Sequence, residues 1–199
     1  KQFSGKHLTH YDRSKEEAEK RILGYVSERL NAVRVNPTRV YGPGSLSKSN
    51  ALTEIVIRYL KGKWKYIPGR GTSMGNYVFV DDVVDCHLLA MEKGRSGERY
   101  VCGGQNLSFN ELFQILERVS GVKHKLVKVP LAPMLGLSGA FLAFAYLSGW
   151  NPPITPAFVR RYNRDWEFSS SKAENELGYS PMSFEEGLKQ TIRWIRDQN

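Results

Sequence analysis

Short apolar runs of strand length alternate with longer stretches of helical periodicity along the whole chain, and this alternation confines the fold to the α/β class. Ala18, Ile22, Tyr25 and Val26 recur at helical spacing and predict a helix over residues 9–30, with that stripe inward and Glu16, Glu17, Glu19 and Lys20 toward water. Residues 31–35 read as a buried strand, stopped by Pro37 and by the turn at Gly42 and Gly44. A helix over about residues 50–60 carries Leu52, Ile55, Val56 and Tyr59. A short strand at 64–67, a glycine-rich loop at 69–75 and a second strand at 77–80 follow. Asp81 is expected to cap a helix over 82–93, with Asp82 complementing its dipole. Residues 99–102 form another strand. Ser108 and Glu111 make a capping box that opens a helix ending at Gly121, and 125–129 is strand-like. A second box, Ser183 with Glu186, opens the last helix, whose inward side holds Leu188, Ile192 and Ile195.

Composition sets outer bounds. The 199 residues suit one domain or two small ones, and 41% hydrophobic content supplies a core. The net charge of +9 is spread over scattered basic residues without a nucleic-acid motif, so it reads as a solvated surface and no nucleic-acid partner is expected. Cys86 and Cys102 lie in apolar strings without metal-ligand spacing, and are expected to be buried and reduced in a cytoplasmic protein. His7, His10 and His124 show no ligand spacing, and His87 is expected to be packed, so no metal is expected. Residues 131–150 carry no charge and approach a membrane span in length. Pro133, Gly136, Gly139 and Gly149 interrupt them, which favours a core or pocket helix over peripheral membrane contact.

Chemistry enters at Tyr11 and Lys15. Four apart, they stand one helical turn from each other on one face. An ammonium there stabilises the phenolate and lowers a pKa that is ordinarily about 10, which makes the phenol a proton donor or acceptor for a carbonyl/alcohol pair. Tyr59 and Lys63 repeat the spacing, but Gly62 between them argues against a helix.

Tyr11 and Lys15 with Glu19, followed by Asn36, Pro37, Thr38, Val40, Tyr41, Gly42 and Gly44, resemble the middle of an extended short-chain dehydrogenase/reductase, the NAD-dependent epimerase/dehydratase family. The strand-to-helix junction through Tyr77, Val80, Asp81 and Asp82 continues the likeness, as do Gly103, Gly104 and Ser108. Lys172, Leu177, Gly178, Tyr179, Gly187 and Trp194 carry it to the C-terminal end. Val35, Asn36, Pro37 and Thr38 suit the dihydroflavonol-4-reductase-like branch best.

The resemblance implies the second half of a Rossmann-type NAD(P)-binding fold plus a small mixed α/β substrate-binding lobe. Residues 1–45, with about 76–95 returning to them, would belong to the dinucleotide-binding domain, and 46–199 mainly to the lobe. No glycine-rich pyrophosphate turn follows an early strand, and no hydroxyl residue on a preceding strand accompanies Tyr11. Lys1 therefore reads as an interior residue of a longer protein whose N-terminal half is absent, and the chain alone is expected to be inactive.

The implied activity is hydride transfer between NAD or NADP and a carbonyl or secondary alcohol, with Tyr11 as acid/base and Lys15 lowering its pKa and binding the nicotinamide ribose. Pro37 and Val40 would touch the nicotinamide end. Asn36 and Arg70 are substrate-contact candidates. Family members acting on nucleotide-sugars carry an arginine at the position of Gly75, so its lack here, with the apolar 131–150 segment, favours a hydrophobic substrate. A nucleotide-sugar epimerase or dehydratase and a non-catalytic substrate-lobe or dimerisation module are the alternatives. A small-molecule substrate and a homodimer through the first helix are the expected partners.

Overall fold

Strands of three to six residues joined through helices can pair in parallel only by crossovers, and three of the four strand pairings here are parallel. The computed structural model describes residues 10–45, 50–150, 152, 155–162 and 164–198, and only the backbone of residues 10–12 and 162. In chain order the elements are α1 (His10–Ser27), β1 (Arg34–Pro37), β2 (Arg39–Tyr41), α2 (Ala51–Leu60) and β3 (Tyr66–Pro68). Then come β4 (Met74–Phe79), α3 (Val80–Lys93), β5 (Arg99–Cys102), β6 (Gln105–Ser108) and α4 (Phe109–Ser120). The remainder is β7 (Val127–Val129), α5 (Leu131–Ser148), α6 (Pro156–Tyr162), α7 (Ser171–Leu177) and α8 (Phe184–Asp197).

Strand β1 pairs in parallel with β5, from Arg34 opposite Arg99 to Pro37 opposite Cys102. One residue later the chain changes partner: β2 runs parallel to β4, which pairs antiparallel with β6. Strands β3 and β7 form a separate parallel pair. The larger core lies between the β2–β4–β6 sheet and helices α2, α4 and α8, around Tyr41, Tyr59, Phe79, Leu112, Phe184 and Leu188. A second core gathers Cys86, Ala90, Tyr100, Ala173, Leu177 and Tyr179 between α3, β5 and α7, with Val33 and Val35 against it.

Both capping signals form. The Ser108 hydroxyl accepts from Glu111 N while the Glu111 carboxylate accepts from Ser108 N, and Ser183 accepts from Glu186 N. Gly121 closes α4 in the left-handed region.

Several expectations are corrected. Helix α3 starts at Val80, and Asp81 makes no cap: it stays exposed, while the buried carboxylate of Asp82 accepts from Met182 N at 3.1 Å. Met74 and Gly75 belong to β4 rather than to a loop. Residues 31–33 precede β1, which is half-buried because, among the described residues, it is flanked only by β5. Helix α1 does not turn its apolar stripe inward, since Ala18, Ile22 and Tyr25 are exposed. Polar contacts hold it instead: half-buried Glu19 accepts from Arg34 at 3.2 Å and from Asn36 at 2.9 Å. Residues 131–148 do form one helix, α5, yet it is no core helix, for Ser138 is its one buried residue. The cysteines are not reduced: Cys86 on α3 and Cys102 on β5, with Cα atoms 6.1 Å apart, form a disulfide across the second core. His87 is exposed, its Nδ1 bonded to the Val83 carbonyl one turn back.

Candidate active site

The change of strand partner creates the site. Thr38, between β1 and β2, is fixed by a bond from its N–H to the Cys102 carbonyl and from its hydroxyl to Asn76 Oδ1 at 2.7 Å. Beyond it the carboxyl ends of β2 and β4 lie side by side, the place where open α/β sheets bind ligands. A cavity of about 740 Å³ opens there. Pro37, Thr38, Arg39 and Val40 form one wall, Leu52 and Ile55 of α2 another. Trp64, the first turn of α4 with Leu112 and Phe113, and Phe158 of α6 complete a mainly apolar enclosure.

Arg39, Arg161 and Asn50 are among the polar side chains that line it. Arg39 bonds the Tyr77 hydroxyl at 3.2 Å and sits 5.5 Å from that ring's centre. Its guanidinium occupies the space beside Gly75, where a Cβ would stand 2.5 Å from Nη1. Arg161 lies 5.2 Å from the centre of the Trp166 ring. Asn50 stands at the N-terminus of α2 but makes no capping bond, and its buried Oδ1 has no hydrogen-bond partner among the described residues.

The residues expected from sequence distribute unevenly. Pro37 and Val40 line the cavity. Tyr11 and Lys15 fall on α1, one turn apart; Lys15 is exposed and outside the cavity lining, and the Tyr11 side chain lies outside the described residues. Asn36 is tied to Glu19 rather than to the cavity. Arg70 is exposed, and its carbonyl accepts from Asn110. Sequence reasoning did not find Arg39 or Asn50: the first reads as a strand arginine, and the second as an ordinary helix-start asparagine whose lack of a cap bond only coordinates reveal.

The β1–β2 wall that bears Pro37 and Val40 lines the cavity. A glycine turn on a helix N-terminus for the pyrophosphate is not found among the described residues, since Gly69, Gly71 and Gly75 precede or lie within a strand.

The chain is 28% identical over 195 residues to sterol demethylase protein B of Methylococcus capsulatus, covering 96% of this chain and 57% of that protein. It is 29% identical to short-chain dehydrogenase/reductase family 42E member 1 of Bos taurus, covering 96% and 52%, and 28% identical to a putative dihydroflavonol 4-reductase of Synechocystis, covering 94% and 54%. Among solved structures it superposes on the UDP-glucose 4-epimerase of Thermotoga maritima with a TM-score of 0.72 and 27% identity, covering 94% of this chain and 53% of that one. The dTDP-glucose 4,6-dehydratase DesIV of Streptomyces venezuelae, solved with NAD, gives 0.69 and 25%, covering 94% and 51%. The chain therefore spans about half the length of the proteins it matches. A family model described as NAD dependent epimerase/dehydratase family matches residues 2–103, from before α1 to the end of β5. With half of its length under that match and its strands in the arrangement of the solved members, the chain belongs to the NAD-dependent epimerase/dehydratase family.

Proposed function

We propose that this polypeptide carries the proton-transfer helix and the substrate cavity of an NAD(P)-dependent oxidoreductase acting on a carbonyl or secondary alcohol of a largely apolar small molecule. The observation that carries the reading is the mainly apolar cavity at the ends of β2 and β4, walled by Leu52, Ile55, Trp64, Leu112, Phe113 and Phe158. Those apolar walls take up a largely apolar substrate and exclude water from its carbonyl or alcohol. A bound nicotinamide supplies or accepts the hydride. Tyr11 gives its phenolic proton to the substrate oxygen in reduction and takes it back in oxidation, and the Lys15 ammonium holds the phenolate.

Arg39 and Arg161 at the cavity favour a second reading, a nucleotide-sugar epimerase or dehydratase in which guanidinium groups grip a diphosphate. Steady-state change in NAD(P)H absorbance separates the two: a reductase consumes cofactor, an epimerase leaves its total unchanged.

The test uses a polypeptide spanning the full length of the relatives. Tyr11→Phe is expected to lower kcat by about 10²–10⁴-fold with circular dichroism unchanged. Lys15→Met is expected to lower it too and to move the alkaline optimum to higher pH, because the phenol loses its neighbouring cation. Activity retained in Tyr11→Phe overturns the proposal.

A further inference from the structure

We propose that α5 docks the protein on the surface of a lipid bilayer bearing anionic headgroups, lying in one leaflet rather than crossing it. The helix is 18 residues long and carries no charged residue. Indeed no Asp, Glu, Lys, Arg or His occurs from Val129 to Val159. A helix apolar on all sides belongs inside a protein or in a membrane, yet this one is exposed: Tyr146 by 92%, Leu147 by 86%, Phe144 by 59% and Leu142 by 47%. At about 100° per residue these four fall on different sides of the axis. A protein partner covers one face of a helix, whereas lipid wets every side left open.

The surroundings select the lipid. Lys125 and Lys128 precede the helix and are exposed, as is Lys123, which pairs with Glu117 at 3.5 Å; Arg160 and Arg164 follow it and are exposed, and no acidic residue lies between Glu117 and Asp165. An apolar element bounded on both flanks by cations alone is complementary to acyl chains beneath anionic headgroups. Trp150 packs against Phe141 and Phe144, at ring separations of 5.9 and 6.1 Å, which puts an amphipathic indole at the end of the apolar stretch.

Chain geometry rules against crossing. The segment leaves the body at β7, which pairs with β3, and is back on it at Trp166, whose N–H donates to the Met74 carbonyl. Helix α6 in between lines the cavity of the same body through Phe158 and Arg161. Both ends of α5 are therefore held on one side of the membrane.

The test is flotation of a polypeptide spanning the full length of the relatives with vesicles of phosphatidylcholine alone and of phosphatidylcholine mixed with phosphatidylglycerol, at low and high salt. The expected result is co-flotation that is stronger with phosphatidylglycerol, weakens with salt, and is accompanied by quenching of tryptophan emission by brominated lipid. The double substitution Phe144→Glu with Leu147→Glu is expected to reduce vesicle binding at least tenfold and to leave circular dichroism unchanged, both side chains being exposed. Failure to float with either vesicle overturns the proposal, as does undiminished flotation of the double variant. Equal, salt-independent binding to both vesicles overturns the headgroup part. A homodimer that the double substitution dissociates, without vesicle binding, assigns the face to a second copy and overturns the whole.

Discussion

Asp82 carries its charge into a place that disfavours it. Burial raises its pKa above the ordinary carboxylate value, the Met182 N–H opposes that rise, and the neighbouring Asp85 and Asp81 add to it. The unfolded chain titrates this group at about 3.9, so between that value and the folded one the native state binds more protons and stability falls as pH rises. Asparagine keeps an oxygen for the Met182 N–H without a charge. We expect the stability advantage of Asp82→Asn over the parent to be absent below the unfolded pKa, to grow as pH rises through the folded one, and then to stay level. Urea midpoints of the two proteins across that range give the comparison; the difference isolates Asp82 from Glu111 and Glu176, whose pKa values are lowered and which act with the opposite sign. A gap that is flat or shrinks with rising pH would refute this account. The same scale explains what stayed hidden in the sequence of the site. Pro37 and Val40 were readable because a strand end and its turn are local features. Arg39 beside Gly75 and the unpartnered oxygen of Asn50 depend on which strands lie together, which no local pattern encodes.

Helix α8 packs on the larger core through a glycine. A Cβ at Gly187 would stand 2.5 Å from the Tyr41 hydroxyl and 2.9 Å from Phe79 Cδ2, both in the larger core. Gly187→Ala is therefore expected to destabilise by about 1–3 kcal/mol, against the gain that alanine ordinarily gives inside a helix. Gly136 on α5 meets nothing within 4 Å, and there alanine is expected to stabilise by up to about 1 kcal/mol. Thermal melts of the two variants should move in opposite directions, and a shared sign would refute the packing argument. Element identity was legible where its cause is local: Ser108 with Glu111 and Ser183 with Glu186 announced two helices that form with those bonds. It failed where the cause is distant. The apolar stripe of α1 promised burial, but what anchors that helix is Glu19 reaching Arg34 and Asn36, a polar contact that helical periodicity assigns to solvent. Residues 131–148 were readable as a helix, not as an exposed one, because apolar composition gives no partner. Likewise Cys86 and Cys102 are 16 apart in sequence, and only the packing of α3 on β5 brings them together.

The molecule holds two cores, and their seam runs through one side chain. Asn76, 1% exposed, accepts at Oδ1 from the Thr38 hydroxyl and from Gly104 N, and donates at Nδ2 to the Gly104 carbonyl and to Asn106 Oδ1. Thr38 is where the chain passes from β5 to β4 as partner, and Gly104 joins β5 of the second core to β6 of the first. Asn76 thus ties both passages between the cores, and through Thr38 it also sets the wall that bears Pro37 and Val40. Replacing it with leucine keeps the volume but takes the acceptor from two half-buried donors, the Thr38 hydroxyl and Gly104 N–H, each costing about 1–3 kcal/mol where water does not replace it. Asn76→Leu is expected to lower unfolding stability by about 3 kcal/mol, measured by urea titration. Asn110→Ala, which removes one exposed bond to the Arg70 carbonyl, is expected to change it by less than about 1 kcal/mol. Equal effects from the two substitutions would mean that the seam is held by apolar packing. The larger effect at Asn76 would locate the coupling between the cores, and the stiffness of the cavity wall, in that hydrogen-bonded amide.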